Sequence, residues 1–161
     1  MTGDRAIVVL PGQGRQLTLG SGLEVSFKVD EAEAEGRYAL AIATVGPGHP
    51  GTTPHVHREH DDVFFVVEGT IAFEVATEMF EVPTGTFVAI PRGLAHRWWN
   101  PRSESAMFVN IHVPDYGFES FVRELSRLSA EGRAAPATMA ELGAQHDVYF
   151  EEDVLQSRYG E

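Results

Sequence analysis

The 161-residue sequence contains no cysteine. Disulfides are therefore excluded, and so is any thiolate-ligated zinc or iron–sulfur site. A bound metal would have to be held by His, Asp, Glu, amide or water, the ligands of catalytic rather than structural sites. Positive charge is also scarce: 12 Lys and Arg stand against 24 Asp and Glu, a formal net charge of -12. Such a chain repels phosphate backbones, so no nucleic-acid partner is expected. The acids are dispersed, with Glu31, Glu33 and Glu35 near the start and Glu151 to Asp153 near the end, and they read as a solvated face. No apolar run reaches membrane-spanning length. The opening MTGDRAIVVLPG has only a five-residue apolar run with an acid before it, which is neither a signal peptide nor a span. The expectation is a soluble, cytoplasmic protein with no membrane partner.

What is present is a series of short, strand-like segments. Residues 6–10 (AIVVL) are β-branched and stop at Pro11-Gly12. Residues 23–29 (LEVSFKV) alternate cleanly, with Leu23, Val25, Phe27 and Val29 on one face. Residues 30–36 (DEAEAEG) read as a surface loop. Residues 37–45 form another strand, and 63–67 (VFFVV) are apolar on both faces, which predicts cover on both sides. Residues 71–75, 79–82, 86–90, 94–99 and 106–113 add further strands. Turn signals separate them every eight to twelve residues or so, the spacing of a sandwich or barrel. After Pro114 the period changes. Phe118, Phe121, Val122, Leu125 and Leu128 make the stripe of an amphipathic helix that Gly132 stops. Thr138 and Glu141 have capping-box spacing and predict a second short helix. The tail, VYFEEDVLQSRYGE, reads as a short strand or irregular piece. The helices are expected to pack outside the barrel or close one of its ends, in a single domain over 1–161 with a barrel core at about 20–113 and a helical segment at about 115–147.

Two stretches carry the chemistry. In GTTPHVHREHDDVFFVVEG, from Gly51 to Gly69, His55 and His57 are two residues apart and project from one strand face, so two imidazoles can share a metal. Asp62 has the opposite parity to His57, so Arg58 to Asp61 must break the strand for its carboxylate to join them. In GTFVAIPRGLAHRWWN, from Gly85 to Asn100, a Pro91–Gly93 turn leads to His96 at the head of a strand. Three imidazoles and one carboxylate would make a four-ligand site for Fe, Ni, Mn, Co, Zn or Cu, and a metal preferring five or six ligands would leave room for substrate or oxygen.

These stretches resemble the two motifs of the cupin superfamily. The first, G-x5-H-x-H-x4-E-x6-G, is followed at His55, His57 and Gly69, with Asp62 in place of the glutamate. His49 stands where its first glycine falls, with Gly48 and Gly51 nearby. The second, G-x5-P-x-G-x2-H-x3-N, is matched at Gly85, Pro91, Gly93, His96 and Asn100. The resemblance implies an all-β fold, the cupin jelly-roll barrel (double-stranded β-helix), here with C-terminal helices. It implies His55, His57, Asp62 and His96 as ligands of one divalent transition metal. The second half is similar to bacterial single-domain cupins of the quercetin 2,3-dioxygenase-like kind. In those enzymes the glutamate serves as ligand and as general base towards the substrate hydroxyl, which makes Asp62 the catalytic candidate. Aspartate is one methylene shorter, and Asp61 and Glu59 stand beside it.

His60 sits in the polar insert and reads as solvent-exposed, while His49 and His146 read as surface. His112 reads as a barrel histidine that also lines a pocket. Tyr38, Phe64, Phe73 and Trp98 are packing residues, with Trp98 the best candidate for the wall against which a planar ligand lies. Arg92 and Arg97 read as solvated, with attraction of an anionic substrate as the alternative. Three functions follow: an oxygenase acting on a flavonol-like or other enolisable or phenolic small molecule; a non-redox isomerase, cyclase or lyase; or a non-catalytic small-molecule-binding barrel. A homodimer through strand or sheet edges is expected.

Overall fold

The computed structural model describes residues 5–20, 22–151 and 160. Among the described residues nine strands form two antiparallel sheets. β1 (Arg15–Leu19), β2 (Leu23–Val29), β3 (Ala39–Val45), β4 (Asp61–Glu68), β5 (Thr70–Val75), β6 (Glu78–Pro83), β7 (Phe87–Ile90), β8 (His96–Trp99) and β9 (Ala106–Val113) follow in chain order. A six-stranded sheet runs β1-β2-β3-β9-β4-β7, and a three-stranded sheet runs β6-β5-β8. Each strand's period-two alternation aims one set of side chains between the layers. Across the large sheet the inner rows are set by register. Ala39, His112, Asp62 and Ile90 lie side by side; one step along come Phe27, Ala41, Asn110, Phe64 and Val88.

The inner face is covered in two parts. Over β3, β9, β4 and β7 the small sheet packs, and Phe64, Phe73, Phe108, Ile71, Val66 and Trp98 form the core. Over β2 the cover is helical. α2 (Phe118–Ala130) and α3 (Pro136–Gln145) bury Phe121, Val122, Leu128, Met139 and Leu142 against Val25, Phe27 and Ala41. The helices therefore extend the inner layer past the small sheet, rather than coating the barrel from outside. The predicted stripe of α2 is the buried one, and Gly132 follows its end with φ 65°.

Four expectations from the sequence are corrected. Residues 6–10 form no strand: among the described residues no strand pairs with them, and Val8 is 73% exposed. Residues 31–34 are a short helix, α1, because the Asp30 carboxylate caps Ala32 and Glu33 while Glu33 reaches back to the Asp30 N–H. α3 begins with Pro136 at its first turn and has no side-chain cap, so proline's fixed φ, not the Thr138–Glu141 pair, starts it. β4 is not covered on both faces: Phe65 is 44% and Val67 41% exposed. On that outer face two apolar rows cross the sheet, Ile42–Val109–Phe65–Phe87 and Leu40–Ile111–Val63–Ala89. Among the described residues no helix is long and apolar enough to cross a membrane.

Candidate metal centre

The site lies where β4, β8 and the segment before β4 meet. His55 is joined to His96 by a two-way backbone bridge, with each N–H donating to the other's carbonyl at 3.0 and 2.9 Å. That bridge places His57, two residues on, against the head of β8. Gly51 makes the approach possible: a Cβ there would fall 1.5 Å from the Trp98 carbonyl oxygen, and its φ is 72°. A turn over residues 58–60 then reverses the strand parity, as the spacing required. Asp62 enters β4 facing inward, with His112 beside it on β9.

His55, His57, Asp62 and His96 each bring one candidate ligand atom to a common point, all within 4.8 Å of one another. His57, Asp62 and His96 are buried, and His55 is half-buried. The three imidazoles share one tautomer for the same reason. His55 Nδ1 donates to the Thr53 carbonyl at 2.7 Å, His57 Nδ1 to the Asp147 carbonyl at 2.8 Å and His96 Nδ1 to the Leu94 carbonyl at 2.9 Å. A carbonyl only accepts, so each Nδ1 carries the proton and each neutral ring turns its Nε2 lone pair inward.

Asp62 Oδ2 sits 3.3 Å from His96 Nε2 and 3.6 Å from His57 Nε2. Among the described residues His57 Nε2 is buried without a hydrogen-bond partner. Burial alone would raise the Asp62 carboxyl, but His112, His57 and His96 outweigh it and hold it well below the carboxylate range. Enclosure, then His96 and His57, push His55 well below its ordinary value. Three ring nitrogens and a carboxylate thus converge, with every Nδ1 proton already committed to a backbone carbonyl. That donor set fits a divalent cation, and the carbonyl acceptors behind it are the usual support of metal-bound imidazoles.

Behind the cluster lies a buried polar network. Asn110 Nδ2 donates to Asp62 Oδ1 and, at 3.2 Å, to the Val63 carbonyl. His112 is hydrogen-bonded to His60 at 2.8 Å, and His60 Nδ1 donates to the Asp147 carboxylate at 2.8 Å. Burial pushes His112 down to about 3; burial, then His57, pushes His60 down to about 4. His60 is therefore not the solvent-exposed residue expected from its polar surroundings: it is 1% exposed, because the turn that carries it folds under Asp147 and Tyr116 stacks on its ring.

Other expected residues fall elsewhere. Phe64, Phe73 and Trp98 pack edge-to-face with one another or with Phe108, at centroid distances of 4.9 to 5.4 Å. With half-buried Tyr38, they stand apart from the lining of two cavities near the cluster. His112 lines the smaller, a void of about 10 Å³ beneath Tyr116 and Phe118. Asp61 faces outward and pairs with Arg92, Glu59 is exposed, and Arg97 pairs with Glu74. None of these joins the cluster, so Asp62 is the carboxylate within it.

The larger cavity, about 280 Å³, opens between β7 and the β5–β6 hairpin. Val75, Phe80, Val88, Ile90 and Leu94 give it apolar walls, with Thr77 and Glu78 at the turn. Its walls are immediate neighbours of the cluster: Ile90 pairs with Asp62 and Val75 with His96. The sequence missed this wall. It also missed Asn110, although a polar residue on the inward face of an otherwise apolar strand was a usable signal. Asp147 had no local signal.

A cupin domain model matches residues 41–112. An uncharacterized protein of Streptomyces coelicolor is 28% identical, over 56% of this chain and 97% of that one. Among solved structures, a predicted oxalate decarboxylase of Thermotoga maritima aligns with a TM-score of 0.59 at 14% identity, over 66% of this chain and 98% of that one. KdgF of a Halomonas species aligns at 0.57 and 17%, over 66% and 93%. The Bacillus subtilis oxalate decarboxylase, with its Mn(II) centres, aligns at 0.51 and 21%, over 57% and 26%. Together these support the cupin superfamily and show its fold.

Proposed function

We propose that this chain, whose fold is that of the cupins, is a metal-dependent enzyme: a dioxygenase acting on an apolar phenolic or enolisable small molecule of the flavonol kind. One observation carries the reading. Three fixed imidazole lone pairs and an ionised Asp62 converge beside an apolar cavity. A divalent transition metal held by His55, His57, Asp62 and His96 would polarise an enol or phenol oxygen and, if redox-active, pass electron density to dioxygen. The chain's own residues do the rest. Asp62, ionised and fixed by Asn110, accepts the substrate hydroxyl proton at Oδ2. Val75, Phe80, Val88, Ile90 and Leu94 hold the ring and exclude water.

The cavity bears on substrate class as well. No cationic side chain lines it, and Arg92 and Arg97 are committed to Asp61 and Glu74. A small dianion would find no partner there, whereas a neutral ring system would. The test is oxygen uptake by the iron, nickel, manganese and cobalt forms with flavonols. Uptake with at least one metal, and a shift in the quercetin spectrum on binding, are the expected results. No uptake with any metal and no shift would remove the flavonol reading.

We also propose a homodimer through the outer face of β3, β9, β4 and β7. Its two apolar rows carry no charge on a chain of net charge -12, so two copies can bury them without bringing like charges together. Light scattering should give twice the chain mass, and Phe65→Glu should give the monomer; a monomeric wild-type chain would refute this.

A further inference from the structure

The family match ends at residue 112, but contacts to the candidate centre do not. After α3 the chain turns back, with Asp147 in the left-handed region at φ 57°, and lies beside the histidine segment. Val56 and Tyr149 exchange backbone hydrogen bonds of 2.8 and 2.9 Å, and the Arg58 guanidinium stacks 3.7 Å over the Tyr149 ring. Asp147 itself is 4% exposed. Its carbonyl accepts from His57 Nδ1 at 2.8 Å. Its carboxylate accepts from the backbone N–H groups of Arg58, Glu59 and His60 at 2.9, 2.8 and 3.2 Å, and from His60 Nδ1 at 2.8 Å. One residue thus binds four consecutive residues, 57 to 60.

We propose that Asp147 is a positioning residue for the metal centre, and that the C-terminal helical segment is part of the site because it delivers Asp147. The inference rests on the metal reading above. Two separate actions follow from the geometry. The carbonyl keeps the proton of His57 on Nδ1, so Nε2 stays a ligand. The carboxylate closes the 58–60 turn, and that turn converts the parity of His57 into the opposite parity of Asp62. Without it the two ligands would leave one strand on opposite faces. Four N–H groups converge on two carboxylate oxygens, so no neutral side chain can replace it fully. Asparagine keeps one acceptor and tolerates the left-handed backbone; glycine keeps the backbone and the carbonyl and removes the cap.

The test is Co(II) titration of the metal-free full chain, read by affinity and by the visible spectrum of bound cobalt, with the His57 ring tautomer followed by nitrogen NMR without metal. Asp147→Gly should weaken Co(II) binding roughly 10–100-fold, the usual cost of removing support behind a ligand. It should also alter the cobalt spectrum, while the retained carbonyl keeps the His57 proton on Nδ1. Asp147→Asn should show a smaller loss in the same direction, and it carries the test if the glycine variant does not fold. Phe73→Ala, in the aromatic core and outside the helical segment, is the control: it should lower Tm and leave affinity within twofold. If both Asp147 variants bind within twofold of wild type with unchanged spectra, or if Phe73→Ala weakens binding as much as they do, the proposal is overturned. A wild-type chain that binds no Co(II) would remove the metal reading and this inference with it. His96→Ala separates the two: loss of binding there, with none in the Asp147 variants, keeps the metal reading and rejects only the role of Asp147.

Discussion

The two ends of the barrel interior are built on the same strands and are chemically opposite. β4 passes from Asp62 to Phe64, β8 from His96 to Trp98, and β9 from Phe108 through Asn110 to His112. On each strand a step of two residues, about 7 Å, changes the inward side chain from aromatic to polar or back. At one end the rings pack edge-to-face. At the other, every polar side chain is anchored from behind, three imidazoles on backbone carbonyls and Asp62 on Asn110. The aromatic end holds the sheets together, and the polar end uses the rigidity this provides to keep four ligand atoms converged.

That division makes three predictions. The largest effect belongs to the ligands. His57→Ala or His96→Ala should drop bound metal well below one per chain by elemental analysis, and wild-type Tm should fall when a chelator removes the metal, by an amount set by ligand excess over Kd. Full occupancy in both mutants would erase the distinction between the ends. Next comes the aromatic end. Phe73→Ala should cost about 3–5 kcal/mol, a Tm loss of roughly 10 °C, with metal affinity nearly unchanged. Equal losses of stability and affinity would show that the two ends are not separable.

The smallest effect is on pH. His60 and His112 sit at about 4 and about 3 in the folded metal-free chain, against 6.5 when unfolded. Below 6.5 the unfolded chain binds protons that the folded chain does not. Stability should therefore fall as pH drops from 6.5 through 4 towards 3, and these two groups should contribute no change above 6.5. Urea midpoints at several pH values would show the slope, and His112→Gln should flatten it. A midpoint constant between pH 7 and 4.5 would place both imidazoles outside this role.

Much of this was legible in the sequence. Strand period and turn spacing indicate the sheets, and the pairing of His55 with His57 follows from a local repeat of two. Asp62 and His96 are picked out by their places in two separate motifs, each a short turn of set length leading into its strand, β4 or β8. The misreadings have physical causes. VFFVV looks doubly covered, since apolar content does not say whether a partner occupies the outer face. His60 looks exposed because its neighbours are polar, and the residue that buries it lies 87 positions away.

The sequence by itself determined which side chains share a strand face, and so which imidazoles and aromatics could meet, because side-chain direction in a strand is a local property of the backbone. Only the tertiary structure decided what stands behind them. The carbonyls that set the imidazole tautomers, the Asn110 amide that fixes Asp62, the apolar cavity beside the cluster and the reach of Asp147 all depend on contacts between elements far apart in the chain. Such contacts form when the sheets and helices close over one core, and no local spacing records them.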